Sequence, residues 1–195
     1  LFTPDGDSKF WADNAIDFTG SADDFEDGSY RAELEWGLGD RASVLLSLGY
    51  YDGSTQRAYR DFVDADGFDI VHTASVEVTP LTLGVLLAPG GRHKSVVPYV
   101  VAGVGFYDWR YSEGGDFIDF DYPDQPIIFG AFEASGVTTG IYGGVGIELM
   151  VAPSTSLFAE GRWVSVDDEL GDDFSGFGTL DLSGSHASLG LAWKF

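Results

Sequence analysis

Three groups of residues in this chain are of types that can do chemistry. His186 and Ser188 stand two apart in "SHASLGLAWKF". A serine beside a histidine becomes a nucleophile when a carboxylate orients the imidazole. No acidic residue follows the pair, and in an extended strand both side chains share one face. Polar lining, rather than catalysis, is therefore the expectation. The second group is ionic: Arg31, Glu33, Glu35, Glu77, Glu148, Glu160, Arg162 and Lys194. One guanidinium can engage several carboxylates, which makes Arg162 among Glu77, Glu148 and Glu160 the expected hub. The third is "DADG" at Asp64–Gly67. Asp64 and Asp66 echo part of a calcium loop without the remaining ligand spacing, and hard oxygen ligands suit Ca²⁺ or Mg²⁺.

What positions these residues is a period of two. In "YRAELEWGL" the residues Tyr30, Ala32, Leu34 and Trp36 oppose Arg31, Glu33 and Glu35. "RASVLLSLGYY", "PYVVAGVGF", "TGIYGGVGIELMV", "SLFAEGRWVSV" and the closing segment alternate in the same way. In "HTASVEVTPLTLGVLL" the parity flips beside Pro80, which predicts a bulge, because proline cannot donate to a ladder. Each run has about the 9–11 residues that a tilted strand needs to cross a bilayer. Short connections ("GLGDR", "APGGRHKS", "APSTS") alternate with long acidic ones at about 5–28, 52–69, 112–135 and 167–179. That sorting is the pattern of an up-and-down membrane barrel.

Composition sets the outer bounds. The chain has 195 residues, enough for one β domain spanning 1–195, with 27 glycines and no cysteine. Disulfides and thiolate metal sites are thereby excluded. A formal net charge of −22 argues against nucleic acid as a partner. No apolar run reaches the length of a membrane helix, which leaves a strand-built crossing open. No basic-plus-apolar leader is present, so for an exported chain the signal peptide is expected to have been removed.

The decisive sequence question is which face meets which solvent. The polar face is mostly Gly, Ser, Thr, Tyr and charges of both signs, suited to the cramped interior of a narrow barrel. The apolar face carries Tyr30, Trp36, Tyr50, Phe106, Trp163, Trp193 and Phe195 near strand ends, where aromatics form interfacial girdles. The expected fold is an eight-stranded antiparallel up-and-down transmembrane β-barrel, its lumen plugged by a salt-bridge network rather than open to diffusion.

The segments "SLGLAWKF", "PYVVAGVGF" and "GIYGGVGIEL … LFAEGRW" resemble the small outer-membrane β-barrel family that includes the OmpX, OmpW and opacity-type proteins. The resemblance covers about residues 30–195. It implies an outer membrane of the Gram-negative type, lipid and lipopolysaccharide as neighbours, and a terminal strand similar to the signal read by the barrel-assembly machinery. The His-x-Ser at 186–188 is similar to that of a barrel lipid A deacylase. One departure stands at the start, where only "LFTP" is available for a first strand. Upstream residues, a short strand or a strand supplied by a neighbouring chain all remain open. The expected role is non-enzymatic: structural, adhesive or surface-interacting through the acidic, aromatic-rich loops. No cofactor is required, although Ca²⁺ or Mg²⁺ is possible at those loops. A conduit for small hydrophobic compounds and a self-assembling subunit are the alternatives.

Overall fold

Alternating β-branched and aromatic residues build nearly the whole molecule from strands. The computed structural model describes residues 1–6 and 8–193. Its strands are β1 (Phe2–Pro4), β2 (Ser29–Gly37), β3 (Ala42–Val63), β4 (Asp69–Leu87), β5 (Val96–Ile118), β6 (Ile127–Ala152), β7 (Thr155–Ser165), β8 (Asp167–Glu169), β9 (Thr179–Asp181) and β10 (Gly184–Trp193). Eight of them form one antiparallel sheet in the order β1-β10-β7-β6-β5-β4-β3-β2, and β8 and β9 make a separate small hairpin. The sheet curls without closing. Among the described residues, the edge strand β1 is joined to the segment just ahead of β2 by a bridge between Phe2 and Asp27. An α-helix, α1 (Lys9–Asp17), precedes β2; the Ser8 side chain caps it by accepting from the Trp11 N–H.

Two expected long loops prove to be mostly strand. β3 runs on to Val63 and β4 starts at Asp69, so the 52–69 segment is the tip of a tall hairpin. β5 and β6 likewise extend through most of 112–135 and leave only 119–126 outside the ladder. Alternation misled there because the apolar residues of these upper segments point the other way from those below.

That reversal is the main feature of the fold. Along β5, Val96, Val100, Val104 and Phe106 point outward and are exposed, whereas Asp108, Arg110 and Asp116 occupy the same face above them. Along β3 the outward face changes between Tyr50 and Asp52, and along β4 between Leu81 and Thr79, whereas β6 keeps exposed apolar residues on that face at Val137 and Phe129. The inward face changes in the opposite sense. Below the line it carries Ser43, Ser47, Thr82 and several glycines; above it come Val76, Val78, Trp109 and Tyr111. The level is common to neighbouring strands, since Leu81 pairs with Phe106, and Thr79 with Asp108. The lower half is apolar outside, while the upper half has the ordinary arrangement of an apolar core beneath a polar surface.

Pro80 therefore marks no bulge. The β4–β5 ladder keeps a single register from His72–Gly115 to Leu87–Val100. Hydropathy flips at Pro80 because the surroundings of the outward face change, while the chain keeps its pleat.

Close approach inside the lower half depends on missing side chains. A Cβ on Gly103 would lie 2.3 Å from the Leu83 carbonyl oxygen and 2.7 Å from the Gly84 Cα. Neither neighbour is a flexible side chain, so the strands themselves would have to move. Gly103→Ala is expected to destabilise the fold by ~1–3 kcal/mol, measured by urea unfolding in detergent. An unchanged midpoint would mean that β4 and β5 do not approach this closely.

Candidate functional site

The lower interior carries ion pairs in two layers. In the upper layer Arg162 donates to Glu160 at 2.9 Å and reaches Glu33 at 3.4 Å, while Arg31 donates to Glu160 at 2.8 Å. The Tyr99 hydroxyl donates to Glu160 at 3.1 Å, the Ser47 hydroxyl donates to Glu33 at 2.7 Å, and the Arg162 guanidinium lies 4.3 Å from the Tyr142 ring centre. Arg162 is 4% exposed, so its charge is compensated by these partners rather than by water. In the lower layer Arg92 donates to Glu35 at 3.0 Å, to Glu148 at 2.9 Å and to Ser43 at 2.9 Å.

The placement departs from expectation in three ways. Glu77 is not in the interior: it shares the outward face with Thr79 and stands opposite Asp52 and Arg110 in the flanking ladders. It sits above the polarity line, where the charged face is the outer one. Glu148 is held by Arg92, so the single hub expected at Arg162 is two hubs. Arg92 lies in the 88–95 turn, to which a two-residue period assigns no face; its long side chain reaches back into the lumen. Lys194 and Phe195 lie outside the described residues. Of the expected aromatic girdle, Tyr30, Trp36, Tyr50, Phe106, Trp163 and Trp193 are all exposed on the outward face.

The upper interior is an aromatic cap. Phe10 and Trp11 of α1 are buried against Tyr111, Phe25 and Phe174, with ring centres 5.1–6.4 Å apart. Arg57 lies beneath them, donating to the Asn14 side chain at 2.6 Å and packing 5.6 Å from the Trp11 ring centre and 5.5 Å from that of Phe25. The aromatics interleaved among the loop acids signalled such packing; the buried Arg57 was missed because residues 52–69 were expected to form a loop, where alternation assigns no face. Tyr107, Trp109 and Tyr111 are all buried on the inward face. Glu113 accepts from the Tyr111 hydroxyl, and burial raises its pKa. His72, 1% exposed, stacks on Phe117 with ring centres 4.7 Å apart. Burial, then the nearby Arg57 charge, lowers its pKa to about 4.

The catalytic and metal candidates take structural places. His186 stacks on Phe2 with ring centres 4.4 Å apart, and Ser188 follows on the same face of β10. The Asp64 carboxylate accepts from the backbone N–H groups of Asp66 at 2.9 Å and Phe68 at 2.8 Å, which shapes the β3–β4 turn. Among the described residues no group of three or more His, Asp or Glu side chains is arranged to hold a metal ion.

One large opening remains. A cavity of about 970 Å³ extends from the ion-paired interior to the gap between β2 and β10. Arg31, Glu33 and Arg162 line its inner part, and Tyr30, Leu189 and Trp193 its rim.

Two predictions arise. Arg162→Met leaves Arg31 as the remaining guanidinium beside Glu160 and Glu33 and is expected to cost about 1.5–3 kcal/mol; a double-mutant cycle with Glu160→Gln should show coupling, and additive effects would contradict the pair. His72 titrates lower in the folded chain than in the unfolded one, so the unfolded state binds more protons between about pH 4 and pH 6.5. Its contribution is fully present above pH 6.5 and is lost as pH falls toward 4, by about 3 kcal/mol in all. The difference in melting temperature between wild type and His72→Phe should shrink or reverse over that range; a difference independent of pH would place the imidazole in water. Comparison with protein-family models, with curated proteins and with solved structures finds no match for the chain.

Proposed function

We propose that the chain is a transmembrane β-barrel-type protein of an outer membrane. In this reading its interior is closed by ion pairs, and its tall, acidic, aromatic-cored upper part is a non-enzymatic surface-interaction element. The observation that carries the reading is the common level at which the adjacent strands β3, β4 and β5 exchange apolar for polar residues on the outward face, with the β4–β5 register unbroken through it. Below it, β5 presents an outward apolar stretch from Val96 to Phe106. At a barrel tilt such a length matches the roughly 25 Å apolar band of outer-membrane barrels. Water would penalise this much exposed Leu, Val, Ile and Trp; lipid favours it. The resemblance to the OmpX, OmpW and opacity-type barrels agrees with this and with an extracellular position for the cap.

The two ion-paired layers favour a plug over a pore, because each guanidinium already satisfies carboxylates from different strands. The acidic outer surface suits partners reached through divalent cations, lipopolysaccharide among them, or copies of the chain itself. A second reading has one observation in its favour. The cavity opens sideways between β2 and β10, which is the geometry required of a conduit that passes small hydrophobic compounds into the bilayer.

Reconstitution into liposomes tests the reading directly. The protein should stay with the membrane through carbonate and urea washes and produce neither swelling nor stable single-channel conductance. Val104→Asp, on the outward face below the line, should cost about 2–4 kcal/mol of stability in bilayers, whereas Asp108→Ser, just above it, should be near neutral. Equal tolerance at both positions would remove the membrane level, and conductance that rises in Arg162→Met would replace plug with gate.

A further inference from the structure

We propose that the 14–19 segment, the last turn of α1 with the residues that end it, is a gate over His72 that swings open when acid puts a proton on the imidazole. The gate belongs to the cap, and it does not depend on whether the lower half meets lipid.

The closed site has no place for a second positive charge. His72 is almost fully buried, and neither of its ring nitrogens has a hydrogen-bond partner. A neutral imidazole leaves one N–H and one acceptor nitrogen unmet. An imidazolium leaves two N–H donors unmet and a full charge with them. Its Nε2 lies 3.9 Å from a Glu113 carboxylate oxygen, beyond hydrogen-bond reach, and that carboxylate already accepts from the Tyr111 hydroxyl. Phe117 stacks on the ring and Phe18 stands edge-on to it, each with ring centres 4.7 Å away. The titratable and charged groups around the imidazole are Arg57 and Tyr59 of β3, Tyr111 and Glu113 of β5 and, beyond Tyr59, Asp17 of α1. Arg57 is permanently charged, and its Nε is also buried without a partner. A proton on His72 therefore sets two cations side by side in a dry cap.

Packing decides what gives way. His72 stands in the middle of the sheet, paired with Arg57 on β3 and Gly115 on β5. Phe10 and Trp11, at the start of α1, are buried in the aromatic core, and pulling them out would expose two large rings. Phe18 is only half-buried. The bonds that hold its segment run along the exposed edge of β3. Arg60 Nε donates to the carbonyls of Ala15 at 3.0 Å and Phe18 at 2.7 Å. The Thr19 N–H donates to the Ala58 carbonyl at 2.8 Å, and the Ala58 N–H donates to the Thr19 hydroxyl at 3.0 Å. Water can replace each of these. Asn14, which accepts from Arg57, leaves with the segment, so one movement hydrates both cations. The open cap then presents Phe18 and Tyr59 beside Phe62 and Phe120, which are exposed already. Acid thereby enlarges an apolar patch on an acidic surface.

The direction with pH follows from the burial. In the closed cap the imidazole titrates at about 4, against 6.5 in water. The open state binds more protons, so opening becomes easier as pH falls from 6.5 toward 4. At pH 5 the ratio of open to closed should be roughly 30 times its value at pH 7.5. Glu113 acts in the opposite sense, because burial raises its pKa and its proton favours the closed cap.

Amide-resolved hydrogen exchange of the full chain in detergent tests the gate, with each rate divided by the intrinsic rate at that pH. Between pH 7.5 and pH 5 the N–H groups of Phe18 and Thr19 should lose roughly 30-fold in protection. Ala12, bonded to the Ser8 carbonyl, and the ladder amides around His72 and Gly115 should keep theirs. The His72 ring C–H resonance of the unsubstituted protein should titrate with the same midpoint as the loss. His72→Gln, which is polar but takes up no proton in this range, should stay protected throughout. Glu113→Gln should lose at least as much protection as wild type. Protection independent of pH, an equal loss in His72→Gln, or retention in Glu113→Gln would overturn the proposal. So would a simultaneous loss at Ala12 and in the ladder, which would make the event global unfolding rather than a gate.

Discussion

The curl of the sheet depends on charge pairs that cross the gap between its edges. β2 and β10 share no ladder, so backbone hydrogen bonds cannot hold them in place along most of their length. Arg31 of β2 is instead tied to Glu160 of β7, Arg162 of β7 to Glu33 of β2, and Arg92 joins Glu35 of β2 to Glu148 of β6. Each pair reaches across the lumen to a strand that is not a ladder neighbour. The most enclosed member, Glu160, holds Arg31 and Arg162 together, whereas Glu33, Glu35 and Arg92 are partly exposed and face the cavity.

That constraint explains why the lower interior is made of glycine, serine, tyrosine and paired ions. Small residues let strands and rings approach, as at Gly103 and Gly190, while tyrosine hydroxyls such as that of Tyr99 satisfy carboxylates from one side. Above the polarity line the constraint disappears. There the outward face is charged, and the interior becomes an ordinary aromatic core in which α1, the Arg57 guanidinium and the Tyr111–Glu113 pair close the upper end. The two halves are joined by continuous strands. A single β5 residue pair, Phe106 and Asp108, carries the change of surroundings without any irregularity in the ladder.

The open edges have a different consequence. An unpaired edge in water is usually protected by charge, brevity or a bulge. Here the edges of β2 and β10 are flanked outwardly by Tyr30, Leu189 and Trp193, none of which is charged. The residues that flank the gap thus bear both on how the sheet is held and on what can approach it.

Alternation of residue types was enough to determine strand existence, the short turns, the antiparallel order and the two-faced character of the lower half, because pleat geometry sends successive side chains to opposite sides irrespective of tertiary context. It was also enough to place Arg31, Glu33, Glu35, Glu160 and Arg162 on one face. Alternation carries no record of which solvent lies on which side, so Glu77 was put inside and a bulge was expected at Pro80. It is equally silent on turn residues and pair choice: Arg92 became a hub, and Glu148 its partner, only once curvature brought β2, β6 and the 88–95 turn within reach. The tall hairpins and the helix in the cap belong to the same class. Each is decided by what packs across the interior, and local pattern has no access to distances between strands far apart in sequence.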